Sequence, residues 1–228
     1  MYKNRTFLAI IPARGGSKRL PRKNLLPLDG IPLIAHTIKA GLGSDYIDKV
    51  VVTSDSQEIL EVSKKYGAKT ITRPDSLSSD TATTFDAIEH TIKNFELYDY
   101  TILLQPTSPL RDAKHIDEAI ELLDKKNADA IISVCEMEHS PLWYNTLDDS
   151  LSMNNFLKDE VLNRRSQDLD IYYRLNGAIY ICRTDKLLEQ GGFLLKDNIF
   201  AYKMDRDCSI DIDEKIDFDF AHLLKKGI

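Results

Sequence analysis

The sequence predicts a three-layer α/β fold, a mostly parallel sheet with helices on both faces. Two observations carry this. Short β-branched runs alternate with helical patterns along most of the chain, the rhythm of a wound α/β sheet. The strand runs are also continuously apolar, as in strands buried on both faces. In chain order, Phe7 to Ile11 is the first strand and Pro32 to Ala40 the first helix. Strand Lys49 to Thr53 and helix Gln57 to Tyr66 follow, with Ser54-Asp55-Ser56 as the helix start signal. Strand Lys69 to Thr72, helix Phe85 to Asn94 and strand Thr101 to Leu104 come next. Asp112 marks the start of helix Ala113 to Lys125, and strands Ala130 to Val134 and Ala178 to Cys182 precede a last helix, Lys215 to Lys225.

The rhythm breaks between Ser140 and Arg174, a stretch rich in Asn, Asp, Ser, Leu and Tyr that contains Trp143, Tyr144, Tyr172 and Tyr173. It lacks linker composition. Two readings stay open, an inserted subdomain over 140–174 and a β-rich piece of the core. In the first, 1–139 and 175–228 form one α/β domain.

The 228 residues carry a net charge of -6, with 43% hydrophobic and 29% charged residues and a sequence pI near 5.4. That is an ordinary globular composition. It speaks against a nucleic-acid binder, which carries a basic stripe and a high pI. Cys135, Cys182 and Cys208 are odd in number and far apart, without a C-x-x-C, so neither a disulfide framework nor a zinc site is expected. No signal-peptide layout or membrane-length run is seen. The expectation is a cytoplasmic protein with no membrane partner, so the sequon Asn4-Arg5-Thr6 is without meaning.

Against this acidic background one loop is basic. After the first strand come Gly15, Gly16 and Ser17 amid Arg14, Lys18, Arg19, Arg22 and Lys23. Glycine amides can form an anion nest and cations above it suit a polyphosphate. The pattern is neither a Walker A nor a G-x-G-x-x-G motif. Ligands of open α/β sheets sit beyond the strands' carboxyl ends. Arg73-Pro74 follows the third strand and Gln105-Pro-Thr-Ser-Pro-Leu-Arg111 the fourth; the plainer reading of the latter is a turn shaped by prolines. Asp211-Ile212-Asp213 would, in a strand, put two carboxylates on one face. Such a pair suits Mg²⁺ with substrate phosphates; the plainer reading has Asp213 cap the last helix. Ser79-Asp-Thr-Ala-Thr-Thr84 reads as a helix cap or as hydroxyls offered to a ligand. His36, His90, His115, His139 and His222 have no metal spacing.

Taken together, these segments resemble the acylneuraminate cytidylyltransferase family, the CMP-nonulosonate synthetases. The matching pieces are Ile11 to Asn24, Thr53-Ser-Asp55, Arg73-Pro74, Ser79 to Ala82, Leu104 to Arg111, Asn176-Gly-Ala-Ile-Tyr-Ile181 and Ser209-Ile-Asp-Ile-Asp213, in the family's order. The resemblance implies a Rossmann-like nucleotidyltransferase fold with a small dimerisation arm over 140–174. It implies that CTP and a nonulosonic, sialic-acid-like sugar give a CMP-sugar and pyrophosphate with Mg²⁺. By position, Arg14 and Lys23 would act on the triphosphate, with Gly15 and Ser17 beside them. Asn24, Arg73 and Thr84 would line the nucleotide site and Gln105 the sugar site. Arg165, with Arg164, would offer charge to the sugar carboxylate, and Arg174 and Asn176 would shape that pocket. Asp211 and Asp213 would hold Mg²⁺, with Asp211 near the attacking hydroxyl. A homodimer is implied, each arm reaching over its partner's site.

The chain departs from the pattern at Trp143, where N-acetylneuraminate enzymes place a lysine. An apolar face there, with Phe193 and Leu194, points to a less hydroxylated diacetamido sugar of the legionaminic type. N-acetylneuraminate is the other sugar in view. The rival functions are a CMP-Kdo synthetase and a non-catalytic nucleotide-binding module.

Overall fold

A computed structural model describes residues 1–78 and 82–226. The Ser79-Asp80-Thr81 part of the predicted cap lies outside the described residues. The elements are β1 (Phe7–Pro12), β2 (Pro27–Leu28), β3 (Ile31–Pro32), α1 (Leu33–Gly43), β4 (Lys49–Ser54), α2 (Gln57–Lys65), β5 (Lys69–Thr72) and α3 (Thr84–Lys93). They continue with β6 (Tyr100–Leu103), α4 (Ala113–Lys126), β7 (Ala130–Glu136), β8 (Tyr173–Arg183), α5 (Thr184–Gln190), β9 (Ile199–Lys203) and α6 (Lys215–Lys225). Seven strands form one sheet in the order β5-β4-β1-β6-β8-β7-β9. Only β8 runs antiparallel to its neighbours.

Strand β1 shows why the sheet is a middle layer. Phe7, Ala9 and Ile11 pack with Ile34 and Ile38 of α1, Ile59 of α2 and Ile116 and Ile120 of α4. Leu8 and Ile10 face the other way, toward Ile88 and Ile92 of α3 and Leu187 of α5. Successive side chains of a strand point to opposite faces, so an apolar run is what two covered faces require. A third, smaller cluster of Leu20, Leu28, Leu33, Ile212, Phe218 and Ala221 joins the basic loop to α6.

The helix starts have local causes. Ser56 caps α2, and Asp112 forms a capping box on α4. Thr83, with Asp86, boxes α3. Asp213 does not cap α6: Glu214 stands at that position and Asp217 accepts from the Asp213 and Glu214 amides at 3.0 and 2.8 Å.

Four elements, β2, β3, α5 and β9, lie outside the sequence expectation. The β2–β3 hairpin turns on Asp29-Gly30, both with positive φ of 48° and 78°, the backbone an Asp-Gly turn supplies. α5 is a single short helix, and β9 is an edge strand. The predicted Ala178–Cys182 strand is the end of the eleven-residue β8.

Between β7 and β8 the chain leaves the sheet over residues 137–172 and returns where Met137 N–H donates to the Tyr172 carbonyl at 2.9 Å. This arm has 3-10 turns but no strand, so the β-rich alternative is corrected; Tyr173 and Arg174 belong to β8. Tyr144, Leu147, Leu151, Met153 and Ile171 are exposed along it. Among the described residues, no helix is long and apolar enough to cross a membrane.

His36 of α1 is buried, and its Nε2 lies 2.8 Å from the Leu28 carbonyl, tying the hairpin to the helix. Burial pushes its pKa below the ordinary value of 6.5, against the pull of that carbonyl. As pH falls through the unfolded value, the unfolded chain takes up a proton that the fold does not. Stability is therefore lost from about pH 6.5 downward and levels off below the folded pKa. Urea titrations at pH 7.5 and 5.5 should show a smaller loss for His36→Gln than for the wild type; equal losses would refute the assignment.

Candidate active site

The chain winds from β1 outward to β4 and β5, then crosses to β6 on β1's other side. Such a switch point leaves a crevice at the carboxyl ends of the strands. A cleft of about 630 Å³ lies there, within the range of ligand sites. Its walls are Arg14, Ser17, Lys18, Arg19, Lys23 and Asn24 after β1, Arg73 after β5, Thr83 and Thr84 at the α3 N-terminus, Gln105 and Thr107 after β6, and Asp211 and Asp213 before α6.

The basic loop is anchored at several points. Ala13 N–H continues the β1 ladder to the Thr53 carbonyl at 3.0 Å. The buried Asn24 amide donates to the Arg14 carbonyl at 3.1 Å, bracing the loop from within. Gly15 N–H donates to Asp55 Oδ1 at 3.1 Å. Its amide is thus committed to protein, which corrects the expected anion nest at that residue. Glycine is needed there for packing: a Cβ would stand 3.0 Å from Ser56 Cβ.

Asp55 also pairs with Arg73 at 3.6 Å. Arg73 is 5% exposed, and its Nε and Nη2 make no hydrogen bond. Burial lowers its pKa, Asp55 opposes this, and the nearby Arg14 charge adds to the lowering. A buried guanidinium with uncommitted donors on a cleft wall fits an anionic or carbonyl-bearing ligand. Asp55, expected only in the start signal of α2 and in a family-matching segment, thus has a further place at the cleft, for which its position after β4 was the available signal.

Opposite the loop, Asp211-Ile212-Asp213 lies outside every strand, which corrects the strand expectation. The alternation survives: Ile212 is fully buried while both carboxylates reach the cleft. Lys23 Nζ donates to the Ile212 carbonyl at 2.5 Å and to Asp213 Oδ1 at 3.3 Å. Arg19 reaches Asp213 Oδ2 at 3.1 Å. Asp211 is open to the cleft yet crowded by protein, and desolvation raises its pKa. A hydrogen bond from Thr107 and the charges of Lys23 and Arg174 oppose the rise, while Asp213 adds to it. Two hard oxygen donors, one destabilised by burial, beside the loop cations fit Mg²⁺, which takes one or two carboxylates plus substrate phosphates.

The residues expected at a sugar are placed differently from the expectation. Gln105 lines the cleft, its Oε1 2.7 Å from where a Cβ on Gly177 would stand. Gly177 has φ +73° and sits in a β8 bulge between the Ile132–Tyr180 and Val134–Leu175 pairs. Asn176 is 1% exposed and its amide is engaged by Ser133, Ser209 and Met204, so it holds the bulge and does not face a ligand. Phe193 is core, edge-on to Tyr180, and Tyr180 is the ring that feels the Asp211 charge. Arg174 donates to the Ser209 carbonyl and pairs with Glu138. Trp143 is half-buried in a 3-10 turn of the arm, and Arg164 and Arg165 turn to Asp168. Among the described residues of this chain, none of those three lines the cleft.

Asp55 restrains both Gly15 and Arg73, so Asp55→Ala should weaken binding of inorganic triphosphate, a probe of the cationic wall, by about 1.4 kcal/mol or more, tenfold in Kd. Calorimetry with urea unfolding as control checks this; an unchanged Kd would remove Asp55 from the site.

A cytidylyltransferase family model matches residues 8–226. The N-acylneuraminate cytidylyltransferase of Escherichia coli is 37% identical over 216 residues, covering 94% of this chain. The chain spans about half that relative's length, 51%. The CMP-N,N'-diacetyllegionaminic acid synthase of Legionella pneumophila is 37% identical over 223 residues, covering 93% of each chain. Among solved structures, a CMP:2-keto-3-deoxy-manno-octonic acid synthetase complexed with CTP superposes with a TM-score of 0.72 at 18% identity, over 97% of this chain and 98% of that one; at that identity the likeness shows the fold. The cations and carboxylates that face each other across the cleft are thus carried by a chain that belongs to the cytidylyltransferase family.

Proposed function

We propose that this chain transfers the cytidylyl group of CTP to the anomeric hydroxyl of a nonulosonic sugar and releases pyrophosphate. The observation that carries the reading is Lys23, which bonds at once to the Ile212 carbonyl and to Asp213. One side chain thereby fixes the spacing between a triphosphate-sized cationic loop and a carboxylate pair. The 93% mutual coverage with the diacetyllegionaminate relative supports a nonulosonate as acceptor.

In this reading the anomeric oxygen forms a bond to the α-phosphorus. The α,β-bridging P–O bond breaks, and pyrophosphate departs with the electron pair. Arg14, Lys23 and the donors of Arg73 neutralise and orient the triphosphate, with Ser17 and Asn24 shaping its loop. Thr84 presents its hydroxyl at the start of α3, whose N-terminal amides favour negative charge. Gln105 orients the sugar, and Asp211, whose carboxylate lines the cleft, accepts the hydroxyl proton. Mg²⁺ held by Asp211 and Asp213 would supply charge neutralisation for the phosphates when bound.

The sugar half is incomplete in one chain, and the arm carries exposed Tyr144, Leu151 and Ile171. A homodimer in which each arm lends Trp143, Arg164 and Arg165 to its partner's cleft accounts for both facts. The three cysteines are free, and burial pushes Cys182 and Cys208 up to about 12 and 11.

Pyrophosphate release with CTP and Mg²⁺ tests the reading, offering N-acetylneuraminate, N,N'-diacetyllegionaminate and Kdo side by side. The expected outcome is release with nonulosonates and not with Kdo, with the diacetamido sugar giving the higher kcat/KM. Release with Kdo alone, or with none, would overturn it. Asp211→Asn should lower kcat by about 10³-fold without moving the melting temperature; retained turnover would sink the carboxylate assignment.

A further inference from the structure

One charged group takes no part in that chemistry. Arg111 ends the Gln105–Arg111 turn and is 2% exposed. Among the described residues it makes no ion pair, and the charge offsetting its burial is that of Asp112, next in the chain. Its donors go to neutral oxygens. Nε donates to the Ala178 carbonyl at 3.2 Å, and Nη2 to Thr37 Oγ1 at 2.9 Å and the Gln105 carbonyl at 3.2 Å. Nη1 has no hydrogen-bond partner. Burial lowers its pKa to about 9, so it stays charged at neutral pH.

Stability alone gives no reason for this residue, since apolar side chains of similar volume commonly replace buried charges without loss. The three acceptors give another reason. They belong to α1, the turn after β6 and the β8 bulge, which meet at the reacting end of the cleft. Ala178 follows Gly177, against which the Gln105 amide rests. Thr37 Oγ1 itself donates to the Gln105 carbonyl at 3.4 Å. Two residues on, the Thr107 carbonyl accepts from Ile212 N–H at 2.8 Å.

We propose that Arg111 is a positioning residue whose buried guanidinium locks the Gln105–Thr107 main chain to the Gly177–Ala178 bulge, and thereby sets both the Gln105 amide and the Asp211–Asp213 pair. The kinetic part rests on the proposed function; the structural part does not.

Arg111→Met keeps a flexible unbranched stem, shorter than that of arginine, and removes every donor. Cooperative urea unfolding and CTP affinity should stay within about twofold, while kcat/KM for the sugar falls by about 30-fold or more through higher KM and lower kcat, as small misplacements do. Gln105→Ala should fall similarly, and the double variant should lose less than about threefold beyond either one, because the two act as a unit. A double loss equal to the product of the single losses would overturn the proposal. Should Arg111→Met not fold, the Thr37→Val/Gln105→Ala cycle is judged by the same rule.

Hydrogen exchange needs no turnover. The Ile212 amide should exchange about tenfold faster in Arg111→Met, or in Thr37→Val, than in the wild type; unchanged protection would overturn the proposal. An inactive wild type would strike the proposed function and leave exchange to decide this inference.

Discussion

The site depends on how Ile212 is held. Its side chain is fully buried among Leu20, Leu28, Leu33 and Phe218. Its N–H is bound by the Thr107 carbonyl, and its carbonyl accepts from Lys23. Each restraint comes from a different segment, and each fixes a different relation. The apolar contact sets the height of the Asp211–Asp213 pair over the basic loop. The Thr107 bond sets its distance from the turn after β6, and the Lys23 bond couples it to the cations. A carboxylate pair without such anchorage would collapse onto the nearest arginine or swing into solvent, because surface ion pairs alone contribute little order.

Much of the cationic wall is similarly organised by uncharged contacts. Asn24 and Gly15 are used internally, one for the Arg14 carbonyl and the other for Asp55. Their work is to present Arg14, Lys23 and Arg73 in fixed places before a ligand arrives. Preorganised charge in a partly desolvated cleft acts more strongly than mobile charge in water. The uncommitted donors of Arg73 show what that arrangement costs the free protein, a buried cation only partly compensated by Asp55.

The legible parts of this chain are those governed by local physics. The apolar runs of β1 and β4 and the caps Ser56 and Asp112 declare themselves because burial on two faces and capping leave direct residue signatures. The basic loop and the two aspartates were legible for the same reason, since charge type and strand-end placement are visible without coordinates. The β8 bulge was not. Its cause is a tertiary network in which Ser133 Oγ donates to Asn176 Oδ1 at 2.6 Å and accepts from Ile179 N–H at 2.8 Å, residues more than forty positions apart. Asn176 and Phe193 were accordingly assigned to a ligand when they serve the scaffold. The buried role of Arg111 was equally hidden, because a guanidinium that donates to carbonyls and a hydroxyl has no charged sequence partner to pair with.

Under the proposed function the cleft has a nucleotide half and a sugar half, which are built on different supports, and this bears on how substrate choice would be set. The nucleotide half hangs on strand ends and main-chain bonds of the sheet, where displacement of one residue moves several others. The sugar half depends on Gln105, held by the β8 bulge, and on an arm of 3-10 turns with few buried side chains, Val161 and Leu169 among them. A substitution at Trp143 or Arg165 alters little packing within the chain, whereas one at Ile212 or Asn24 disturbs the core beneath the site. Under the proposed function, physical constraint therefore ties the chemistry of the activated nucleotide to the fold and leaves the acceptor sugar to surfaces that can change at small cost in stability.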